Sequence, residues 1–257
     1  MLKLQWRSER QVRVLVRRKI VFVIVEGPSD RTALELLLNH IFDRDEVYVH
    51  VTYGDITSRS GANSSNILKK VAEEVKVYSD RYRLKRSDFQ QVIHILDMDG
   101  AYIPDDLVVY DSEAEKPIYS LDSVKTSNRQ GIIDRNFRKR RNMDKLSETP
   151  KIWGGVPYSA HYMSCNLDHV LYNKLNSTDE EKEADSKLFS KKYKADKDGF
   201  IQFITRSDFS VGGEYRSSWK YIKEGTHSLE RHTNLGLCFP EVEAANDDDT
   251  TDDIVNE

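Results

Sequence analysis

Cysteine is scarce: two in 257 residues, Cys165 and Cys238. They form no disulfide framework and no metal-ligand spacing, so a zinc module is excluded and a reduced, cytoplasmic setting is expected. Long apolar runs are missing too. The stretch from Val12 to Ile24 is interrupted by Arg13, Arg17, Arg18 and Lys19. It therefore reads as neither a signal peptide nor a membrane span, and no membrane contact is expected. No Walker A loop occurs, which excludes ATP hydrolysis by that route. No internal repeat is present.

Positive charge is less scarce than the net formal charge of −4 implies. Residues 241–257 hold eight acids and no Lys or Arg, which leaves 35 acids against 39 basic residues in residues 1–240. That body carries about +4 by formal counting. A mildly basic body with an acidic tail fits a nucleic-acid-binding protein. It equally fits an ordinary protein with a solubilising tail. The tail has little to bury and reads as flexible. Hydrophobic content of 38% is enough for a core, and charged content of 32% implies large solvated or polyanion-facing surfaces.

What is present is organised around Val21-Phe22-Val23-Ile24-Val25-Glu26-Gly27-Pro28-Ser29-Asp30. Five apolar residues ending in Glu-Gly-Pro read as a strand buried on both faces. Residues 29–42 read as the helix that follows, with Asp30 near its positive end. Val92 to Leu96 is a second such run, ending in Asp97-Met98-Asp99-Gly100. Strand alternation points Asp97 and Asp99 the same way. In open α/β sheets this carboxyl edge is where chemistry is placed. Three carboxylates on neighbouring strand ends suit a hard divalent cation.

Around these runs the chain alternates strand and helix. Residues 1–19 hold seven basic residues and one acid, with Val12, Leu15 and Val16 at helical spacing. Residues 47–53 read as a strand closed by Gly54, and Asp55 stands at the same edge. A helix runs from about Asn66 to Tyr82, capped by Ser64 or Ser65. Residues 102–125 read as an insertion with two short apolar runs. A helix over residues 126–146 carries the densest basic run, Arg135, Arg138, Lys139, Arg140 and Arg141. That run reads as a phosphate-binding face or a solvated one. A strand to about Ser164 and a helix with Asn166 near its start follow. From about Ser177 the chain is mostly charged helix, and Gly212-Gly213 precede an aromatic, basic segment with Trp219, Lys220 and Lys223.

Glu-Gly-x-x-Asp at one strand end and Asp-x-Asp at the next, with Glu26 and Asp97 71 residues apart, resembles the Toprim domain over residues 20–170. Within that superfamily the chain looks most like the small stand-alone OLD-like and abortive-infection nucleases, including PARIS-type effectors. The resemblance implies an α/β fold with a Rossmann-like parallel sheet flanked by helices and a further, mostly helical C-terminal part. It divides the chain into a catalytic core over residues 1–175, a helical extension over 176–240 and an acidic tail over 241–257. It implies cleavage of RNA, such as transfer RNA, or DNA, with Mg2+ or Mn2+. Glu26, Asp97, Asp99 and a lysine, here Lys220, would be catalytic. Glu26, Asp30, Asp97, Asp99 and Asp168 would hold metal. Asp30 and Asp168 read equally well as acids at helix N-termini. Arg135, Arg138, Lys139, Arg140 and Arg141 would hold the nucleic-acid backbone. Such relatives act with an ABC-type ATPase sensor and commonly form homodimers. Topoisomerase and primase relatives need a tyrosine-bearing domain or zinc modules not found here, so hydrolysis leads. The contrasting reading is a degenerate Toprim fold that binds nucleic acid or a partner without catalysis.

Overall fold

Six apolar side chains, five of them β-branched, make β1 (Ile20–Val25) a strand buried along its whole length. The structure, a computed structural model, describes residues 18–42, 46–52 and 54–239. From β1 the chain runs through α1 (Pro28–Ile41) to β2 (Glu46–Val51), which pairs in parallel with β1. Then α2 (Ile67–Tyr82) leads back to β3 (Phe89–Asp97), parallel to β1 on its other side. Strands β4 (Val108–Tyr110), β5 (Ile118–Tyr119) and β6 (Val124–Thr126) form a separate small sheet. Helix α3 (Arg129–Ser147) precedes β7 (Lys151–Ile152) and β8 (Val156–Met163). The main sheet has the order β2-β1-β3-β8-β7. Four short or medium helices complete the chain: α4 (Leu167–Tyr172), α5 (Asp179–Tyr193), α6 (Lys197–Arg206) and α7 (Tyr215–Tyr221).

Alternation along β1 sorts its side chains between two cores. Val21, Val23 and Val25 face α1 and the helices α4 to α6, through Leu34, Leu37, Leu171, Phe189 and Phe200. Phe22 and Ile24 face α2, the end of α3 and α7, through Val71, Val75, Leu146 and Trp219. The C-terminal helices α5 and α6 thus share the core of the sheet. Phe22 lies 5.4 Å from the Tyr48 ring and 5.3 Å from that of Tyr78. Phe22→Ala is expected to cost about 3–5 kcal/mol by opening a cavity that strand backbone cannot close. Urea denaturation checks this, and a loss under about 1 kcal/mol would place Phe22 outside the cooperative core.

The expected parallel sheet is in fact mixed, because β7 pairs antiparallel with β8. Trp153, Gly154 and Gly155 reverse the chain between them, all at positive φ. The third strand ends at Asp97, not Asp99. Helix α3 begins at Arg129 because Asn128 caps it, accepting the Gly131 N–H at 3.0 Å, while Val124–Thr126 are taken into β6. Asn66 precedes α2 directly, so neither Ser64 nor Ser65 is its cap residue. The helical spacing of Val12, Leu15 and Val16, the end of the second strand at Tyr53, and the tail over 241–257 lie outside the described residues. No helix among the described residues is long and apolar enough to cross a membrane.

Helix α1 carries the chain to one side of β1 and α2 returns it to the other. The carboxyl ends of β1 and β3 therefore flank the crevice where the strand order reverses.

Candidate functional site

Glu26 is the first residue beyond β1. Its Oε1 accepts the Asp97 N–H at 3.3 Å, so one carboxylate bridges the ends of β1 and β3. Asp97 closes β3, and its Oδ1 accepts the Leu167 N–H at 3.0 Å, at the start of α4. Asp99 is set by a turn instead of by strand alternation. Met98 donates to the Met163 carbonyl, then Asp99 takes a left-handed conformation, φ 48°, and donates to the Cys165 carbonyl at 2.7 Å. Gly100 continues the turn at φ 64°, where a Cβ would lie 2.5 Å from Leu229. Only glycine fits there without displacement.

Lys139 is fully buried among these acids. Its Nζ lies 2.5 Å from Asp99 Oδ2 and 2.7 Å from Asp55 Oδ2. Beside it, the Arg135 guanidinium donates to the Asp99 carbonyl and to the Tyr119 hydroxyl, both at 2.8 Å. Glu26, Asp55, Asp99 and the Lys139 ammonium thus form the first half of the cluster. The second half holds Asp30, Asp168 and Lys182. Asp30 Oδ2 accepts the Gly27 N–H at 2.9 Å. Asp168 is buried, with Lys182 Nζ 3.6 Å away. Asp97 sits between the halves and feels the charges of Asp30, Asp99, Asp168 and Lys139.

The electrostatics show an excess of negative charge. Burial pushes the Glu26 carboxyl well above the usual carboxylate range, with Asp55, Asp97 and Asp99 adding repulsion that Lys139 only partly offsets. Burial does the same to Asp97, with Asp30 and Asp99 adding to it. Asp55 differs: burial opposes its ionisation, but Lys139 and the Thr57 and Ser58 hydrogen bonds outweigh it and hold the carboxyl at about 2. Burial disfavours charge on Lys139 as well, yet Asp55 and Asp99 raise it well above the ordinary lysine value.

Asp30 is pushed up to about 6 by burial, against the Gly27 hydrogen bond, with Asp168 contributing. The folded state therefore holds this proton more tightly than the unfolded chain. The stability it contributes is fully present below about pH 4 and is lost as pH rises through about 6. Asp30→Asn keeps an acceptor for Gly27 and removes the titration. The variant's stability relative to wild type should rise by about 3 kcal/mol between about pH 4 and about pH 7.5. Urea denaturation of both proteins at the two pH values measures it, and a difference independent of pH contradicts it.

The structure divides the basic run of α3 by helical face. Arg135 and Lys139, four apart, point inward to the acids. Arg138 and Arg141, three apart, are exposed, with Arg141 over the Phe137 ring at 5.6 Å. Arg140 is half-buried, 3.6 Å from Asp105. Lys139 thus meets carboxylates and has no surface for a phosphate backbone. Lys220 is exposed on α7 and lines a cleft with Tyr158, whose strand partner Val92 is five residues before Asp97. The lysine beside the acids is Lys139. The sequence carried a signal for this: Lys139 lies on the buried stripe Ile132, Asn136, Lys139, Met143, Leu146. Lys182, inside a charged helix, had no such mark.

Among the described residues no three His, Cys, Asp or Glu side chains are grouped as one metal ion requires. The donor chemistry, carboxylates with unbalanced negative charge, suits a hard cation. The arrangement engages Asp99 with Lys139 and Asp97 with the Leu167 N–H instead. No family model, curated protein or solved structure matches the chain.

Proposed function

We propose that this chain is a divalent-cation-dependent nuclease that hydrolyses phosphodiester bonds in RNA, such as transfer RNA, or in DNA. One observation carries the reading: Glu26 Oε1 accepts the Asp97 backbone N–H at 3.3 Å at the switch point of the sheet, so the carboxyls of Glu26, Asp97 and Asp99 share one strand edge with too little positive charge to balance them. Neighbouring carboxyls with strongly displaced protonation, at the carboxyl edge of a sheet, mark a candidate centre on physical grounds.

In this reading Glu26, Asp97 and Asp99 would hold Mg2+ or Mn2+, and Asp30 and Asp168 would supply carboxylates for a second ion. A bound ion would neutralise charge on the phosphoryl oxygens and activate a water. Glu26, whose carboxyl retains its proton unusually well, can hold or pass a proton at its Oε atoms. Lys139 keeps Asp55 ionised and fixes the side chain of Asp99. Arg138 and Arg141, on the outer face of α3, hold the backbone without reading sequence. The Toprim-like motifs extend the proposal to the toxic effector of a bacterial anti-phage system, paired with a separate ABC-type ATPase sensor and forming a homodimer.

A second reading draws on the same geometry. Lys139 bridging Asp55 and Asp99 neutralises part of the cluster internally, as in a degenerate Toprim fold that binds nucleic acid or a partner without cutting it. Incubating the purified chain with transfer RNA, ribosomal RNA and plasmid DNA, with and without Mg2+ or Mn2+, separates the two. Cleavage abolished by chelator is the expected result. Binding without cleavage, in either cation and with every substrate, would favour the second reading.

A further inference from the structure

We propose that the cleft between α7 and the amino-terminal half of β8 binds a nucleotide, at a site separate from the acidic cluster. The proposal does not depend on the nuclease reading. Tyr158 pairs with Val92 and Asp97 with Met163, so the cleft lies five residues down the strands from the acids, about 17 Å at strand rise. Its volume is about 780 Å³, within the range of small-molecule sites.

The lining combines rings and cations. Tyr158, Tyr215 and Trp219 turn their polar tips inward. The Tyr158 hydroxyl meets His94 Nδ1 at 3.0 Å, the Tyr215 hydroxyl donates to the Ala160 carbonyl at 2.7 Å, and Trp219 Nε1 donates to the same carbonyl at 3.2 Å. Tyr158 and Trp219 lie buried beneath the cleft, and the half-buried Tyr215 offers it ring surface, which suits a planar base. The same bonds clamp α7 to β8, so the wall is preorganised.

Arg216, Lys220 and Lys223 stand along one side of α7 and its following turn, at spacings of four and three. Lys223 is paired with Asp144 at 2.6 Å. Among the described residues, Arg216 and Lys220 have no hydrogen-bond or ion-pair partner, and Glu148 is the single acid among the lining residues. Two like charges one turn apart weaken a helix mildly. A bound phosphate relieves this, and a guanidinium beside an ammonium is a common phosphate cradle. Rings at the floor and unpaired cations at the wall together match a base with its phosphate, from a free nucleotide or from a nucleic-acid strand.

Calorimetry on the full chain tests this with three probes: nucleoside monophosphates, a short single-stranded oligonucleotide and inorganic phosphate. The expected result is that a monophosphate or the oligonucleotide binds more tightly than phosphate, and that Arg216→Ala/Lys220→Ala raises its Kd at least about tenfold. Which of the two binds identifies the source. The variant's melting temperature should match that of wild type, because both side chains are exposed. A second variant, Arg216→Lys, controls for folding and should bind with intermediate affinity. No binding of either nucleotide probe, equal binding of phosphate, or full binding by the double variant would overturn the proposal.

Discussion

Glu26→Gln is expected to lower cation-dependent cleavage by at least about a thousandfold, a loss of about 4 kcal/mol of transition-state stabilisation, while raising the stability of the fold at neutral pH. The two effects share one cause. Glu26 is half-buried, its carboxyl is desolvated beside Asp55, Asp97 and Asp99, and each of these raises the cost of its charge. Glutamine keeps an oxygen that can accept the Asp97 N–H now bound at 3.3 Å, but it carries no charge to repel its neighbours or to hold a cation. A residue conserving only the fold would show the opposite coupling, with activity falling because stability falls. Single-turnover cleavage and urea denaturation on the same preparation separate these cases. A variant that loses stability along with activity, or one that still cuts, contradicts the role given to Glu26.

Lys139→Met is expected to destabilise the chain by about 3 kcal/mol, because it leaves the half-buried Asp55 and Asp99 without their shared, fully buried cation. For a chain of this size that is a melting temperature lower by about 10 °C. Methionine fills similar volume, so the loss reports charge more than packing. If the acids form a cation site, Mg2+ or Mn2+ should restore more stability in the variant than it adds to wild type, since the ion then replaces the missing ammonium. Thermal melts across a cation titration measure both effects. A neutral substitution would mean that Asp55 and Asp99 find other partners and that the cluster is not electrostatically tight.

The sequence reveals the sheet and its principal edge because both rest on short-range patterns. A continuous apolar run at residues 20–25, and one at 92–96 interrupted only by the buried His94, name the central strands, and the acids that end them, Glu26 and Asp97, meet because the strands are neighbours. Asp99 was harder to place. Its φ of 48° takes it out of the strand, and the following Gly100 is the only local mark of that turn. The basic run of α3 misleads when read as one patch, because a helix sends residues three and four apart to one face and their neighbours to the other. Lys139 and Arg135 go inward, Arg138 and Arg141 outward. The pairing of β7 with β8 lay in Gly154-Gly155, a hairpin signal between two short apolar stretches. The grouping of Asp30, Asp168 and Lys182 joins three helices, and no local pattern specifies such a contact.

The measurement that bears most directly on a cation-dependent acidic centre is calorimetric titration of Mg2+ and Mn2+ into wild type and Asp97→Ala/Asp99→Ala, repeated with a non-cleavable oligonucleotide present. Binding by wild type, with or without the oligonucleotide, and loss of that binding in the double variant are the expected results. Absence of binding by wild type under both conditions, or undiminished binding by the double variant, would contradict such a centre.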